Sequence, residues 1–372
     1  MSSSRRDFLK AGLVGLSAMT ALSALSGCST LDEYVFEDQF DLKDQVLIVG
    51  GGVSGLYLAY KLRQIRSEYR LLEGSSYLGG RVRSYQGLDF GASLFQHSDE
   101  RVSALVKEFS LVKLPHGKDS YFIQGGAETL TQALQDRISG LMPYRSLRVR
   151  WQLVALHKNK DKYEAVFDMP KGRRVITCRR MALTLPPAQW ANVDGLLQLP
   201  EMEWATEWLK TLHPETSTRL VATVPASSFA GTGLNPKKSA AIVLEKDVLT
   251  MTTKSLKNNL YGLEFDYLTR QSLTEKFKIQ TTQTIEIEKY LDQVNAKTRL
   301  GLSVRRVNTD SFFDWAAVDL IQSSRFKNAT PIPNDVRKNP VFQVFGDYSA
   351  IQKPHTVEGA LTEAERVSSF FV

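Results

Sequence analysis

A short apolar strand pattern that runs into a glycine cluster and then into a helix pattern restricts the fold of this 372-residue chain most strongly. The stretch is QVLIVGGGVSGLYLAYKLR, in which residues 46–49 form the strand pattern and residue 53 begins the helix pattern. Gly50 permits a tight turn, Gly52 lets a phosphate approach the backbone, and Gly55 lets helix and strand pack closely. Free N–H groups and the helix dipole then favour an anion at the helix N-terminus. The sequence therefore predicts a parallel α/β sheet with a dinucleotide at its first strand–helix turn.

A carboxylate at the end of the next strand pattern supports the dinucleotide prediction. The run YRLLE ends at Glu73, 23 residues after Gly50, where a carboxylate can accept both hydroxyls of an adenosine ribose. The same negative charge would repel a 2′-phosphate, which disfavours NADP. The glycine turn and Glu73 together predict an adenosine dinucleotide without that phosphate.

The other patterns along the chain indicate two interleaved units. Strand-like runs lie at 45–49, 69–73, 151–156, 164–168, 181–185 and 341–345, and helix-like runs at 53–66, 101–109, 126–138 and 357–370. The early strand–helix–strand order is typical of a parallel sheet. We predict a dinucleotide-binding domain from 44–95, 120–195 and 340–372, and an α+β substrate domain from 96–119 and 196–339.

Composition disfavours several other kinds of site. The formal net charge is +7, but no block of lysine or arginine indicates nucleic acid binding. The five histidines are scattered without metal-ligand spacing, so no metal site is predicted. The two cysteines are Cys28 and Cys178, and no internal disulfide can form if Cys28 is modified.

The N-terminal stretch SRRDFLKAGLVGLSAMTALSALSGC has the organisation of an export signal. Arg5, Arg6 and Lys10 form a basic region, and residues 11–26 are too short and too polar to span a membrane. The arginine pair resembles a twin-arginine signal, which is read by the twin-arginine export machinery. An ordinary secretory signal that contains two arginines is the alternative.

The end of that stretch, Leu-Ser-Gly-Cys at 25–28, resembles a bacterial lipobox, in which the cysteine becomes the lipidated first residue. We therefore expect a mature protein that begins at Cys28 and is anchored by lipid at the periplasmic face of the cell envelope, with residues 29–43 as a tether or as an arm that packs on the body. Without lipid on Cys28, the same protein would be soluble in the periplasm.

Several motifs resemble the flavin-containing amine oxidase family, which includes monoamine and polyamine oxidases and renalase-like FAD oxidoreductases. In family order they are EGSSYLGGRVRS (73–84), GLDFGASLF (87–95), YFIQGGAETLTQAL (121–134), LRVRWQLVAL (147–156), MALTLPP (181–187) and VFQVFGDYSAIQKPHTVEGAL (341–361). The middle of the chain adds little to the resemblance. It implies a Rossmann-type FAD-binding domain with an interleaved α+β substrate domain.

The resemblance also implies a set of cofactor contacts, with FAD bound non-covalently because no cysteine or histidine stands at the family's attachment position. The implied contacts are Gly50, Gly52, Ser54 and Gly55 at the pyrophosphate, Glu73 at the ribose, Gly80 and Arg81 at the pyrophosphate and flavin edge, Ala92 and Ser93 beside the ring, Leu153 at the adenine, Gly346 and Asp347 at the pyrophosphate and ribityl chain, and Val357 at the flavin O2. Glu358 is expected either to act near the flavin or only to complement the helix dipole.

Catalytic residues are less clearly implied. Where relatives often place a lysine, the stretch STRLVATV has Arg219, which cannot act as a base because it stays protonated. Trp315 and Tyr348 are candidate pocket residues; Arg219 could equally be a surface residue and Trp315 a core residue. The last helix also departs from the family, with Thr362-Glu363 in place of Ser-Gly.

The resemblance implies an exported FAD-dependent oxidoreductase that transfers hydride from a substrate C–H, in an amine or a similar small molecule, to flavin N5. One alternative is a desaturase or oxidase that acts on a non-amine apolar substrate. The other is a non-catalytic FAD-binding subunit of an envelope complex.

Overall fold

The structure is a computed structural model that describes residues 39–85, 87–139, 146–236, 238–243, 248–256, 258–269, 292–300, 302, 325–327 and 331–371. The strands are β1 Gln39–Asp41, β2 Val46–Val49, β3 Tyr69–Leu72, β4 Ser84–Tyr85, β5 Leu88–Asp89, β6 Phe95–Gln96, β7 Lys113–His116, β8 Ser120–Ile123, β9 Leu147–Arg148, β10 Gln152–Asn159, β11 Lys162–Met169, β12 Gly172–Cys178, β13 Arg180–Leu183, β14 His213–Pro225, β15 Ala240–Val243, β16 Val248–Ser255, β17 Leu260–Thr269, β18 Arg325–Lys327 and β19 Phe342–Val344. The helices are α1 Val53–Gln64, α2 Glu100–Glu108, α3 Glu128–Ser139, α4 Pro187–Trp190, α5 Ala205–Thr211, α6 292–298, α7 Asn334–Arg337 and α8 Val357–Ser368.

A parallel sheet in the order β19-β13-β2-β3-β9 lies at the centre of the fold. Strands β2 and β3 are buried along their whole length, which explains why they read as nearly continuous apolar runs. Helices α1, α3 and α8 cover one face, and their shared core contains Val46, Ile48, Leu56, Leu130 and Leu361. This arrangement confirms the predicted Rossmann-type α/β fold.

An antiparallel layer covers the other face of the parallel sheet. Strands β12, β11 and β10 pair antiparallel, and β1 adds to the edge of β12 in parallel. Buried and half-buried residues alternate along β11, as in a sheet that packs on one side. Its core joins Leu47 and Val49 of the parallel sheet to Phe167, Cys178 and Trp190. Burial raises the pKa of the Cys178 thiol, which keeps it protonated.

A second antiparallel sheet, in the order β15-β16-β17-β14-β18, forms the other unit. It has its own apolar core, which includes Val224, Met251, Leu263 and Phe265. A small sheet in the order β6-β8-β7 lies within the earlier part of the chain. The described residues of the predicted substrate domain thus include one antiparallel sheet and part of another, while the limits of that domain stay a prediction.

The structure shows how the segments at the predicted domain limits pack. Residues 39–41, the end of the predicted tether, pair with 175–177 of β12 and so belong to a sheet. The segment after residue 195 continues into the core that Leu47 shares, because Leu196, Met202 and Trp208 are buried there. The predicted limit at 119/120 falls inside the β7–β8 hairpin.

The export signal and Cys28 lie outside the described residues, so both remain predictions. Within the part of the chain that the structure describes, we find no helix that is long and apolar enough to cross a membrane.

A buried ionic network explains the departure from the family pattern in the last helix. Glu363 is 2% exposed, and its carboxylate accepts hydrogen bonds from Arg337 Nη2 at 2.7 Å, Arg366 Nε at 3.1 Å and Ser349 Oγ at 3.1 Å. Arg337 Nη1 also donates to the Ser349 carbonyl at 2.6 Å. The carboxylate at 363 is therefore compensated by guanidinium groups from α7 and α8.

We expect Arg337→Met to destabilise the protein by about 3–5 kcal/mol, because it leaves a buried carboxylate without one of its cations. Lys210→Met is the matched control, since Lys210 pairs with Glu207 on an exposed surface and should lose about 0.5 kcal/mol or less. Chemical denaturation monitored by far-UV circular dichroism measures both values. Equal losses in the two variants would contradict the network.

Candidate dinucleotide-binding site

The turn between β2 and α1 is close-packed at its first and third motif glycines. Gly50 has φ +107°, and a Cβ there would lie 2.3 Å from Thr184 Oγ1. A Cβ on Gly55 would lie 2.0 Å from the Gly50 carbonyl oxygen. Because neither distance leaves room for a side chain, these two glycines let α1 begin directly against the end of β2, as the sequence predicted.

Gly52 differs from its neighbours because it faces open space. A Cβ on Gly52 would meet no atom within 4 Å, and its φ of −67° suits any residue. It is the N-cap of α1 and has no side-chain cap, so the first N–H groups of α1 point to this space. Gly80 packs against Gly52, since a Cβ on Gly80 would lie 3.1 Å from Gly52 Cα. The space at a helix N-terminus fits a phosphate, and buried Ser54 lies in the first turn of that helix.

Glu73 lies beside this turn, at the end of β3. Its Oε2 accepts the Gly51 N–H at 2.6 Å, and its Oε1 accepts the Ser75 N–H at 2.7 Å. These bonds orient the carboxylate, while each oxygen keeps acceptor capacity for a ribose hydroxyl. The half-buried carboxylate therefore fits the predicted ribose contact.

Strand β10 passes next to Glu73. The Trp151 N–H donates to the Glu73 carbonyl at 2.8 Å, and the Arg150 N–H donates to the Ser75 carbonyl at 2.8 Å. Leu153, the predicted adenine contact, lies two residues further on and pairs with Phe167 of β11. The structure thus brings Leu153 to the same end of the sheet as Glu73.

An ion pair joins the second glycine loop to the last segment of the chain. Arg81 Nη2 donates to Asp347 Oδ1, and Asp347 is 8% exposed. Asp347 follows Gly346 directly after β19, so residues 266 positions apart meet at one edge of the parallel sheet. The partly exposed guanidinium is a cation that could also contact a pyrophosphate.

Ala92 and Ser93 lie on a segment that packs against the Arg81 loop. The Ala92 N–H donates to the Arg81 carbonyl at 3.2 Å, and Ser93 is buried. A Cβ on Gly91 would lie only 1.6 Å from the Arg81 carbonyl oxygen, which requires glycine there. The predicted ring contacts and Arg81 are therefore held side by side.

In the first turn of α8, a side chain caps one N–H group, and the first N–H groups have no acceptor within the helix. The Thr356 hydroxyl oxygen accepts the Gly359 N–H at 3.0 Å, and the helical ladder starts with Ala360 donating to the Thr356 carbonyl at 3.0 Å. The N–H of Val357 lies before that ladder, where a helix has no internal acceptor. This position fits a carbonyl oxygen of a bound ligand.

Glu358 caps a neighbouring helix. Its carboxylate accepts the Arg101 N–H at 3.0–3.1 Å and the Val102 N–H at 3.0 Å, in the first turn of α2. Glu358 thus fixes α8 against α2 and complements the dipole of α2, a contact that neither sequence-based alternative described.

The described contacts do not bring the three candidate catalytic residues together. Arg219 lies in β14, opposite Asp266 of β17, and Trp315 lies outside the described residues. Tyr348 packs against Trp190 and Trp208, with ring centroids 5.8 and 6.3 Å away, and burial raises its pKa well above the usual value. Tyr348 therefore has a core environment and keeps its proton at neutral pH, while its catalytic role and that of the other two stay predictions.

Sequence reasoning missed two residues. The Thr184 hydroxyl donates to the Gly50 carbonyl at 3.0 Å and to the Val49 carbonyl at 3.1 Å, which closes the turn from β13. Its sequence signal is the threonine at the end of the strand run in MALTLPP. Lys254 is 2% exposed and lies 2.9 Å from Asp89 Oδ2, although the surrounding TMTTKS pattern predicts an exposed polar strand.

Comparison with known proteins agrees with this site. Residues 48–109 match the family model of the NAD(P)-binding Rossmann-like domain. An uncharacterised protein of Acanthamoeba polyphaga mimivirus is 39% identical over 83 residues, which is 20% of this chain and 16% of that protein. The match therefore spans about a sixth of the viral protein's length.

Solved amine oxidases share the fold over nearly the whole chain. A putrescine oxidase variant with redesigned cofactor binding matches with a TM-score of 0.68 at 10% identity, over 89% of this chain and 99% of that one. Wild-type putrescine oxidase bound to putrescine matches with a TM-score of 0.66 at 11% identity, over 88% and 99%. Cyclohexylamine oxidase from Brevibacterium oxydans IH-35A matches with a TM-score of 0.68 at 12% identity, over 88% and 98%. At these identities the likeness shows the fold.

We expect Gly55→Ala and Gly52→Asp to have opposite effects on stability. The first forces a Cβ against a backbone carbonyl and should cost about 1–3 kcal/mol. The second places a capping carboxylate in open space at a helix N-terminus and should leave stability unchanged or raise it by up to about 1 kcal/mol. Thermal unfolding of wild-type and variant proteins that have been stripped of bound ligand measures both, and a destabilised Gly52→Asp would then contradict the open space described here.

Proposed function

We propose that this protein is an FAD-dependent oxidoreductase of the amine oxidase type. The observation that carries the proposal is the open space beside Gly52 at the N-terminus of α1, with the Glu73 carboxylate bound to the neighbouring Gly51 N–H. The space lies at the carboxyl ends of parallel strands, where sheets of this kind bind ligands. The likeness to the folds of putrescine oxidase and cyclohexylamine oxidase, over 89% and 88% of the chain, supports the same class of enzyme.

In this proposal the chain holds FAD without a covalent bond. The N-terminal N–H groups of α1 and the Arg81 guanidinium bind the pyrophosphate, and Glu73 accepts the ribose hydroxyls. Ala92 and Ser93 confine the ring, and the first turn of α8 directs partial positive charge to it through Val357. Bound FAD supplies the hydride acceptor, and the protein supplies orientation, a dry pocket and charge stabilisation.

The substrate in this proposal is a small molecule with a C–H next to an amine. Putrescine and cyclohexylamine are the compounds named for the similar structures. Arg219 cannot accept a proton, so the proposed reaction uses no protein base at that position. A non-amine substrate is the second candidate, because Thr356 stands two residues before Glu358, where many amine oxidases have an aromatic residue, and serves instead as a helix cap.

Anaerobic mixing of the purified flavoprotein with a panel of primary and secondary amines, including putrescine and cyclohexylamine, tests the reaction. We expect at least one amine to bleach the yellow flavin absorbance, because reduction removes it. Bleaching by dithionite without bleaching by any amine would reject the amine oxidase type and favour the second candidate.

Gly52→Asp tests the cofactor site, since it keeps the helix capped but places negative charge where the pyrophosphate would bind. We expect the purified variant to lack FAD while its unfolding temperature matches that of wild-type protein stripped of FAD. Full FAD retention by this variant would refute the assignment of the turn.

We also propose that the protein is exported with FAD already bound and is held at the periplasmic face by a lipid on Cys28. The twin-arginine route carries folded proteins, and a non-covalent dinucleotide is retained only by a folded site. The arginine pair indicates export of a folded protein, and the glycine turn indicates a non-covalent dinucleotide. The two features therefore support the same proposal.

Replacing Arg5 and Arg6 by lysine should trap the flavin-loaded protein in the cytoplasm, as measured by fractionation and flavin fluorescence. The control is Cys28→Ser, which keeps the arginine pair and should release soluble flavoprotein into the periplasm. Undisturbed export of the double lysine variant would contradict the twin-arginine proposal.

A further inference from the structure

We propose that Lys254 is a positioning residue for the cofactor. From the second sheet it binds the carboxylate of Asp89. Through Asp89 it fixes the position of the segment that lies beside the flavin ring. This inference rests on the proposed FAD site but concerns Lys254, to which neither the sequence motifs nor the comparisons assign a role. Lys254 lies in β16 and Asp89 in β5, so the contact joins the two units of the fold.

The lysine and its partners are buried in the interior. Lys254 is 2% exposed, and Asp89 and Glu264 are both 0% exposed. Lys254 Nζ donates to Asp89 Oδ2 at 2.9 Å and lies 5.2 Å from the ring centroid of Phe122. A buried charge is costly to desolvate, so a lysine here needs the carboxylate close by.

Asp89 forms hydrogen bonds with several elements of the fold. Its Oδ1 accepts the Ala127 N–H at 2.7 Å, directly before α3, and also the Ser84 hydroxyl. Its own N–H donates to Glu264 Oε1 in β17 at 3.1 Å. The side chain thus connects the β4–β5 hairpin and the start of α3 to the second sheet, and Lys254 supplies a positive charge for the carboxylates that meet there.

A short backbone ladder connects Asp89 to the predicted cofactor contacts. The Phe90 N–H donates to the Arg83 carbonyl at 2.9 Å, and the Ala92 N–H donates to the Arg81 carbonyl at 3.2 Å. Gly91 lies against Arg81 too closely for any side chain. Because these backbone contacts are tight, movement of Asp89 displaces both Arg81 and the segment that contains Ala92 and Ser93.

The substitutions Lys254→Met and Asp89→Asn separate positioning from stability. Methionine fills a similar volume without charge, so the single variant leaves the Asp89 carboxylate without its cation and should lower the unfolding temperature. The double variant Lys254→Met/Asp89→Asn removes both charges and should recover most of that loss. The double variant does not restore the contact between β16 and β5. The matched control is Lys162→Met, whose ammonium pairs with Asp41 at 2.5 Å on a partly exposed surface.

The readouts are the visible circular dichroism of bound FAD, its reduction potential, its dissociation constant and the unfolding temperature. We expect the single and double variants to share an altered flavin spectrum and potential, with FAD affinity weakened by less than about tenfold because the α1 turn and Glu73 are untouched. With any amine that reduces the wild type, we expect kcat to fall by about 10²-fold. The control should match the wild type in every readout.

Wild-type flavin spectra and potentials in both variants would overturn the inference, and so would a double variant that recovers the flavin properties together with stability. If the single variant does not fold, the double variant carries the same test. Absence of FAD from the wild-type protein would instead reject the proposed function.

Discussion

The contact between Gly55 and the Gly50 carbonyl is the constraint on which the dinucleotide end of the structure depends. Only the absence of side chains lets α1 start against the end of β2, and only that start directs the first N–H groups of α1 to the space at Gly52. Thr184 closes the same turn from β13, so a neighbouring strand stabilises the geometry that the glycines allow. The turn thus packs closely at Gly50 and Gly55 and stays open at Gly52.

Ionic contacts between distant segments complete the site around that turn. Arg81 meets Asp347, Glu358 caps α2, and Lys254 meets Asp89, each across a long separation in sequence. These contacts hold the loops that surround the proposed cofactor, and most of their charged atoms are buried. The site therefore depends on charge compensation in the interior as much as on the apolar core.

The sequence predicted the elements whose signals are local. Continuous apolar runs indicated β2 and β3, and the spacing of glycines indicated the turn, because buried parallel strands and phosphate turns each impose a short pattern. It did not indicate Lys254, because its buried partner is 165 residues away and an isolated lysine in a Thr-rich strand resembles a solvated one. The role of Glu358 likewise became visible only when α2 was placed beside α8. Long-range packing decides such roles, and a single sequence does not encode them as a pattern.

The pairing of β1 with β12 covers part of a sheet edge. Without residues 39–41, the edge of β12 would present unpaired N–H and C=O groups at residues 175–177, and such an edge can template strands of a second copy. Residues 39–41 therefore shield this part of the edge. Proteolysis just before β2 would expose it and would favour aggregation by strand addition.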